Sequence, residues 1–177
     1  GAEAAEACGV LIKVEALALH ERDLRERSDL FEEGTRRRLA LAEGLGATDL
    51  VRLIERATEW RAAVRRAVHG LDLMLTPTTP GPAPATGEVV TTTAAVVPFT
   101  HAIGLAHTPA LSLPCGFTGD GHPLGVQLVA APGRDELTLR AGAAYQSATG
   151  WHRMRPPARV ADGAVRSYAA ADAGATR

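Results

Sequence analysis

All eleven prolines of this 177-residue chain lie at Pro77 or beyond. Proline lacks an amide proton and breaks a helix interior, so its distribution decides which parts can be long helices. The first 76 residues are free to be helical throughout, and the remainder is punctuated by proline. The chain reads as an arginine- and glutamate-rich helical front and a proline-punctuated back of short strands, as two parts of one domain. The length suits one domain with its own core and is short for two. A hydrophobic fraction of 46% with 22% charged residues excludes a mainly disordered, collagen-like or disulfide-stapled chain. The net charge of −1 advertises neither a nucleic-acid nor a membrane partner. No run of about 18 apolar residues predicts a transmembrane helix.

In the front, the clearest helix runs from about Thr48 to Val68. Thr48 is read as its N-cap, Asp49 suits the positive end of the dipole, and Gly70 is read as the C′ residue. Leu50, Leu53, Ile54, Ala57, Trp60, Val64 and Val68 recur at helical spacing. An earlier helix is expected over about Val10 to Arg27, with connections at Gly34, Gly44 and Gly46. In the back, Leu71–Thr76, Ala110–Leu113 and Gly125–Ala130 read as short buried strands, because continuous apolar runs suit a sheet covered on both faces. A last helix is expected from Asp135, read as its cap, to Thr149. Its inward face would be Leu137, Ala141, Ala144, Tyr145 and Ala148. Residues 1–157 form the expected domain and 158–177 a disordered tail. Three strands make a thin sheet, so partner strands are expected to lie outside the chain. A first residue of Gly1 in place of Met predicts a processed or incomplete piece.

The residues that carry chemistry are sparse. The serines are Ser28, Ser112, Ser147 and Ser167, none in a G-x-S-x-G elbow. Ser112 is expected to be a small buried hydroxyl. His101, His107, Cys115 and His122 lack the tight spacing of a zinc site, and no metal or other cofactor is predicted. Cys115 reads as a buried, inert thiol. Gly116–Gly121 lacks the lysine of a phosphate loop and reads as a hairpin with Asp120-Gly121 at its tip. Arg36–Arg38 read as a solvated helix face. Two distant cysteines and no secretory leader predict a reduced, cytoplasmic setting.

The most specific stretches are Thr76-Pro77-Thr78-Thr79-Pro80 with Ala83-Pro84, Pro109 to Gly116 (PALSLPCG), and Gly121 to Val129 (GHPLGVQLV), followed by a helix beginning near Glu136. In the front, Glu15-Ala16, His20 and Thr35-Arg36 fall at matching places. In this order and spacing they resemble the C-terminal part of the amidase signature family. The resemblance extends to about Pro157. It implies an α/β fold, the C-terminal portion of an α/β/α sandwich with a mixed sheet. It also implies hydrolysis of a carboxamide C–N bond through an acyl-serine. The family uses a Ser–Ser–Lys triad with a Gly-Ser-Ser-Gly nucleophile region. This chain has no Ser-Ser pair, and its single lysine, Lys13, lies outside any such motif, so no catalytic residue is assigned here and the chain alone is predicted inactive.

The resemblance further implies that Thr78, Thr79, Gly104 and His107 line a substrate pocket, and that the partner of the complete protein is a small amide. The family pattern N-x-x-G-x-P-A is altered. Gly104 replaces the usual Asn and His107 the usual Gly. An alternative is a noncatalytic scaffold pairing with a separate N-terminal half through an exposed sheet edge, or a homo-oligomer. The amidase-like subunit of a glutaminyl-tRNA amidotransferase fits less well, since no carboxylate lies between Thr91 and Thr100.

Overall fold

The computed structural model describes residues 1–84 and 96–155. The expected tail 158–177 and the domain boundary at 157 lie outside the described residues. In the helical front, α1 spans Ala2–Glu26, α2 Glu33–Glu43 and α3 Ala47–Ala67. A nine-residue helix, α4, covers Pro98–Ala106 and leads into the sheet. Strands β1 (Met74–Pro77), β2 (Ala110–Phe117) and β3 (Pro123–Val129) form a sheet of order β1-β3-β2, and both pairings are antiparallel. Helix α5 (Asp135–Ala148) lies against β2 and β3.

The core is built from small residues. Ala4, Ala7 and Cys8 on α1 meet Ala57 on α3 and Ala102 and Leu105 on α4. Alanine at these contacts lets the three helices approach closely, because interaxial distance follows side-chain size. Val64, Val68 and Ala106 continue the core to Met74 and Ala131, which joins the helices to the sheet. On the other sheet face, Gly142 of α5 packs on β2. A Cβ there would lie 2.3 Å from Leu111 Cδ2. No helix among the described residues is long and apolar enough to cross a membrane.

Several boundaries differ from the expectations, each for a local reason. Helix α1 starts at Ala2 because its alanine- and glutamate-rich first turns propagate through Gly9. Gly46, not Thr48, is the N-cap of α3. The last residues of α3 are followed by His69 and then Gly70 at φ +77°, so the left-handed residue falls one place later than expected. Ile54 is 49% exposed, at the edge of the stripe. Gly34 lies inside α2, where the Glu32 carboxylate accepts from the Gly34 and Thr35 amides at 2.8 and 3.0 Å. Strand β2 runs past Pro114 to Phe117, since it is an edge strand and a missing amide is tolerated there. The register shifts between Pro114 and Gly116. Asp135 is not a cap; Arg134 holds that place. The buried residues of α5 are Thr138 and Gly142, while Ala144 and Ala148 are exposed. The turn between β2 and β3 is the expected hairpin, closed by the Thr118 amide donating to His122 O at 2.8 Å.

The packing of α3 and the cap of α2 can each be tested by one substitution. Trp60 Nε1–H donates to Ala102 O at 2.6 Å and the indole packs on both core clusters, so Trp60→Phe, which removes the N–H and the five-membered half of the indole, is expected to lose at least about 1 kcal/mol in urea unfolding. An unchanged midpoint would show that the bond contributes nothing. The two amides hold the Glu32 carboxyl below its ordinary pKa. Its capping is therefore complete above the ordinary carboxylate range and is lost as pH falls through the lowered folded value. Circular dichroism should record a larger acid loss of helix in the parent chain than in Glu32→Gln.

Candidate functional site

The Thr-Pro-Thr-Thr-Pro segment leaves β1 at one corner of the sheet. Thr78 pairs its amide with Gly125 O at 3.0 Å and its hydroxyl with Ser112 Oγ at 2.9 Å. The two hydroxyls thus bridge across the backbone of β3 at Gly125. A Cβ at Gly125 would stand 3.1 Å from Thr78 Oγ1 and 3.2 Å from Thr78 Cβ, so this approach depends on glycine there. Gln127, only 3% exposed, donates from Nε2 to Pro77 O at 3.3 Å and ties down the start of the loop. Ser112 is exposed, which corrects the expectation of a buried hydroxyl. Its strand neighbours Leu111 and Leu113 point to the opposite face, toward α5, while Ser112 shares a register row with Thr76 and Gln127.

Thr79 turns to a different place. Its hydroxyl donates to Gly81 O at 2.7 Å. It lines an apolar cavity of about 400 Å³ with Leu75, Pro77, Cys115, Leu124 and Val126. Cys115 is half-buried at its wall.

Gly104 of α4 and His107, the C-cap of that helix, lie in a second cavity of about 310 Å³ that also takes in Leu11, Ile12 and Glu15 of α1, Arg61 of α3, Thr100 and His101. The four expected pocket residues are therefore spread over three settings. Thr78 lies on the hydroxyl bridge, Thr79 in the sheet cavity, and Gly104 with His107 in the helical cavity. A Cβ at Gly104 would meet nothing within 4 Å.

His107 ends α4 in the left-handed region, at φ 53° and ψ 47°. Arg61 reaches it from α3, donating from Nε to Leu105 O at 3.0 Å and from Nη2 to His107 Nε2 at 3.1 Å. Leu105 O is a last-turn carbonyl without a helical partner, and Arg61 supplies one. The sequence pattern alone does not single out Arg61. The available signal is its position four after Ala57 and three before Val64, a charge on the buried line of the stripe.

Among the described residues no three His, Cys, Asp or Glu side chains converge to hold a metal. His101 and His107 share the helical cavity, Cys115 lies at the sheet and His122 in the hairpin turn. Burial, and then the Glu15 carboxylate, push the Cys8 thiol up from its ordinary pKa and away from reactivity. Lys13 lines a separate cavity with Glu6, Arg38 and His101, and no hydrogen bond joins it to a hydroxyl among the described residues.

The Amidase family model matches residues 3–139. The chain belongs to the amidase family. It is 36% identical over 154 residues to an amidase of Pseudomonas putida, covering 80% of this chain and 32% of that protein. It is 31% identical over 153 residues to a glutamyl-tRNA(Gln) amidotransferase subunit of Thermodesulfovibrio yellowstonii, covering 82% and 32%. A crystal structure of an amidase superposes with a TM-score of 0.75 at 26% identity, over 83% of this chain and 36% of that one. The chain spans about a third of the length of the curated relatives it matches. The glycine that the amidase pattern places at His107 now has a physical reason. The backbone there is left-handed, and a side chain costs about 1–2 kcal/mol in that conformation. His107→Gly is accordingly expected to leave unfolding stability unchanged or higher, and His107→Val to lower it by about 1–2 kcal/mol. A thermal scan in which valine is tolerated as well as glycine would contradict the assignment.

Proposed function

We propose that this chain is the C-terminal part of an amidase that hydrolyses a carboxamide C–N bond through an acyl-serine, with the Ser–Ser–Lys triad contributed by polypeptide outside it. The family match over residues 3–139 carries the reading. Within that match lie a single lysine, Lys13, and the serines Ser28 and Ser112, and none of them adjoins another serine. Ser112 is paired with Thr78. A serine nucleophile needs a base within hydrogen-bond reach, and the described residues offer Lys13 no hydroxyl. The segment supplies framework and pocket wall. Thr78, Thr79, Gly104 and His107 are the wall residues on this reading, and a small amide is the substrate of the complete protein. No cofactor, nucleic acid or membrane enters the chemistry. The free thiols of Cys8 and Cys115 suit a reducing, cytoplasmic compartment.

A second reading, a noncatalytic scaffold that pairs with a separate N-terminal half, draws support from edge strand β1, where Leu75 is 65% exposed. The amidotransferase reading fits less well, for want of a carboxylate between Thr91 and Thr100.

The purified chain is expected to leave p-nitroacetanilide intact, and to support its hydrolysis when mixed with an N-terminal amidase polypeptide carrying Gly-Ser-Ser-Gly and its lysine. Hydrolysis by the chain alone, abolished by Lys13→Met or Ser112→Ala, would overturn the proposal. A mixture that forms a complex without turnover would favour the scaffold.

A further inference from the structure

Pro77 has no amide proton, so the loop that leaves β1 cannot be held there by its own N–H. It is held around that residue instead. Gln127 Nε2 donates to Pro77 O at 3.3 Å, and the Thr78 amide donates to Gly125 O at 3.0 Å. Both anchors belong to β3. The third contact reaches one strand further, where Thr78 Oγ1 lies 2.9 Å from Ser112 Oγ of β2. Gly125 lies against both hydroxyls, since a Cβ there would stand 3.1 Å from Thr78 Oγ1 and 3.7 Å from Ser112 Oγ. Thr79, by contrast, turns its hydroxyl back into its own loop, on Gly81 O.

Two hydroxyls joined by one hydrogen bond keep one O–H between them. Neither has another hydrogen-bond partner among the described residues, and Ser112 is exposed. The remaining O–H suits an uncharged acceptor such as an amide oxygen. Given Thr78 as a wall residue of the proposed amidase, we propose that Ser112 is a positioning residue of that wall. Its hydroxyl fixes that of Thr78, and the pair presents one O–H in a set direction to the carbonyl oxygen of the bound amide. This task needs no base, unlike nucleophilic attack.

Two measurements test the proposal. In the chain alone, Ser112→Ala should speed hydrogen exchange of the Thr78 amide by about fivefold, as the loss of one hydrogen bond requires. Ser112→Thr keeps the hydroxyl at a strand position that suits a β-branched residue, and should leave the rate unchanged. An unchanged rate in Ser112→Ala would overturn the proposal whatever the activity. In the mixture with the N-terminal amidase polypeptide, Ser112→Ala and Thr78→Val should each raise KM for p-nitroacetanilide about fivefold, with kcat within about twofold. The double variant should raise KM no further than either single one, because the two hydroxyls act as one donor. Ser112→Thr should restore the parent KM. A purely structural role would lower the amount of active complex, and so kcat, and leave KM where it was. KM unchanged in both single variants, or additive effects in the double variant, would overturn the proposal while the hydrolytic reading stood. A mixture without turnover would go against the hydrolytic reading itself and take the proposal with it.

Discussion

The clasp of α3 on α4 holds the two parts of the molecule in one arrangement. Trp60 and Arg61, adjacent in sequence, send their N–H groups to Ala102 O and Leu105 O of the facing helix. Helix α4 is only nine residues long, too short to persist alone in water. Its stability comes from these bonds and from Ala102, Leu105 and Ala106 packing into the alanine-lined core. The chain then turns at His107 and enters β2 at Ala110, with Pro109 O accepting from the Ala130 amide at 3.1 Å. Loosening the clasp would release α4 and the wall that carries Gly104, while β2 keeps its pairing with β3. The placement of α4 derives from two side chains on one helical turn.

The sheet divides its labour by face. Leu111 and Leu113 meet α5, with Gly142 as the point of closest approach. The row of Thr76, Gln127 and Ser112, followed by Thr78 over Gly125, presents hydroxyl and amide groups instead. That division makes Gly125 and Gln127 structural prerequisites of the loop at Thr78–Pro80. One lets the loop cross the β3 backbone, and the other holds the Pro77 carbonyl.

Much of this was legible in the residue order because the signals were local and periodic. The absence of proline before Pro77 marked the helical front, the seven-member stripe on α3 marked a core face, and short apolar runs marked all three strands. Helix α4 was not legible. Its sequence, PFTHAIGLA, is apolar almost all round and contains a glycine, so no period distinguishes helix from strand. The extent of β2 was missed because proline reads as a stop, and only the edge position of the strand makes it permissible. The exposure of Ser112 depends on which sheet face is covered, a tertiary fact. Arg61 was hidden for the same reason, since its partners lie more than forty residues away.

The central claim is that the hydrolytic proton transfer belongs to polypeptide beyond this chain, which provides framework and pocket lining. Intact-mass analysis after exposure to a serine-directed fluorophosphonate tests it most directly. The account predicts no adduct on this chain, alone or mixed with an N-terminal amidase polypeptide, and a stoichiometric adduct on that added polypeptide. A stoichiometric adduct on Ser112, or on any other serine of these 177 residues, would contradict it.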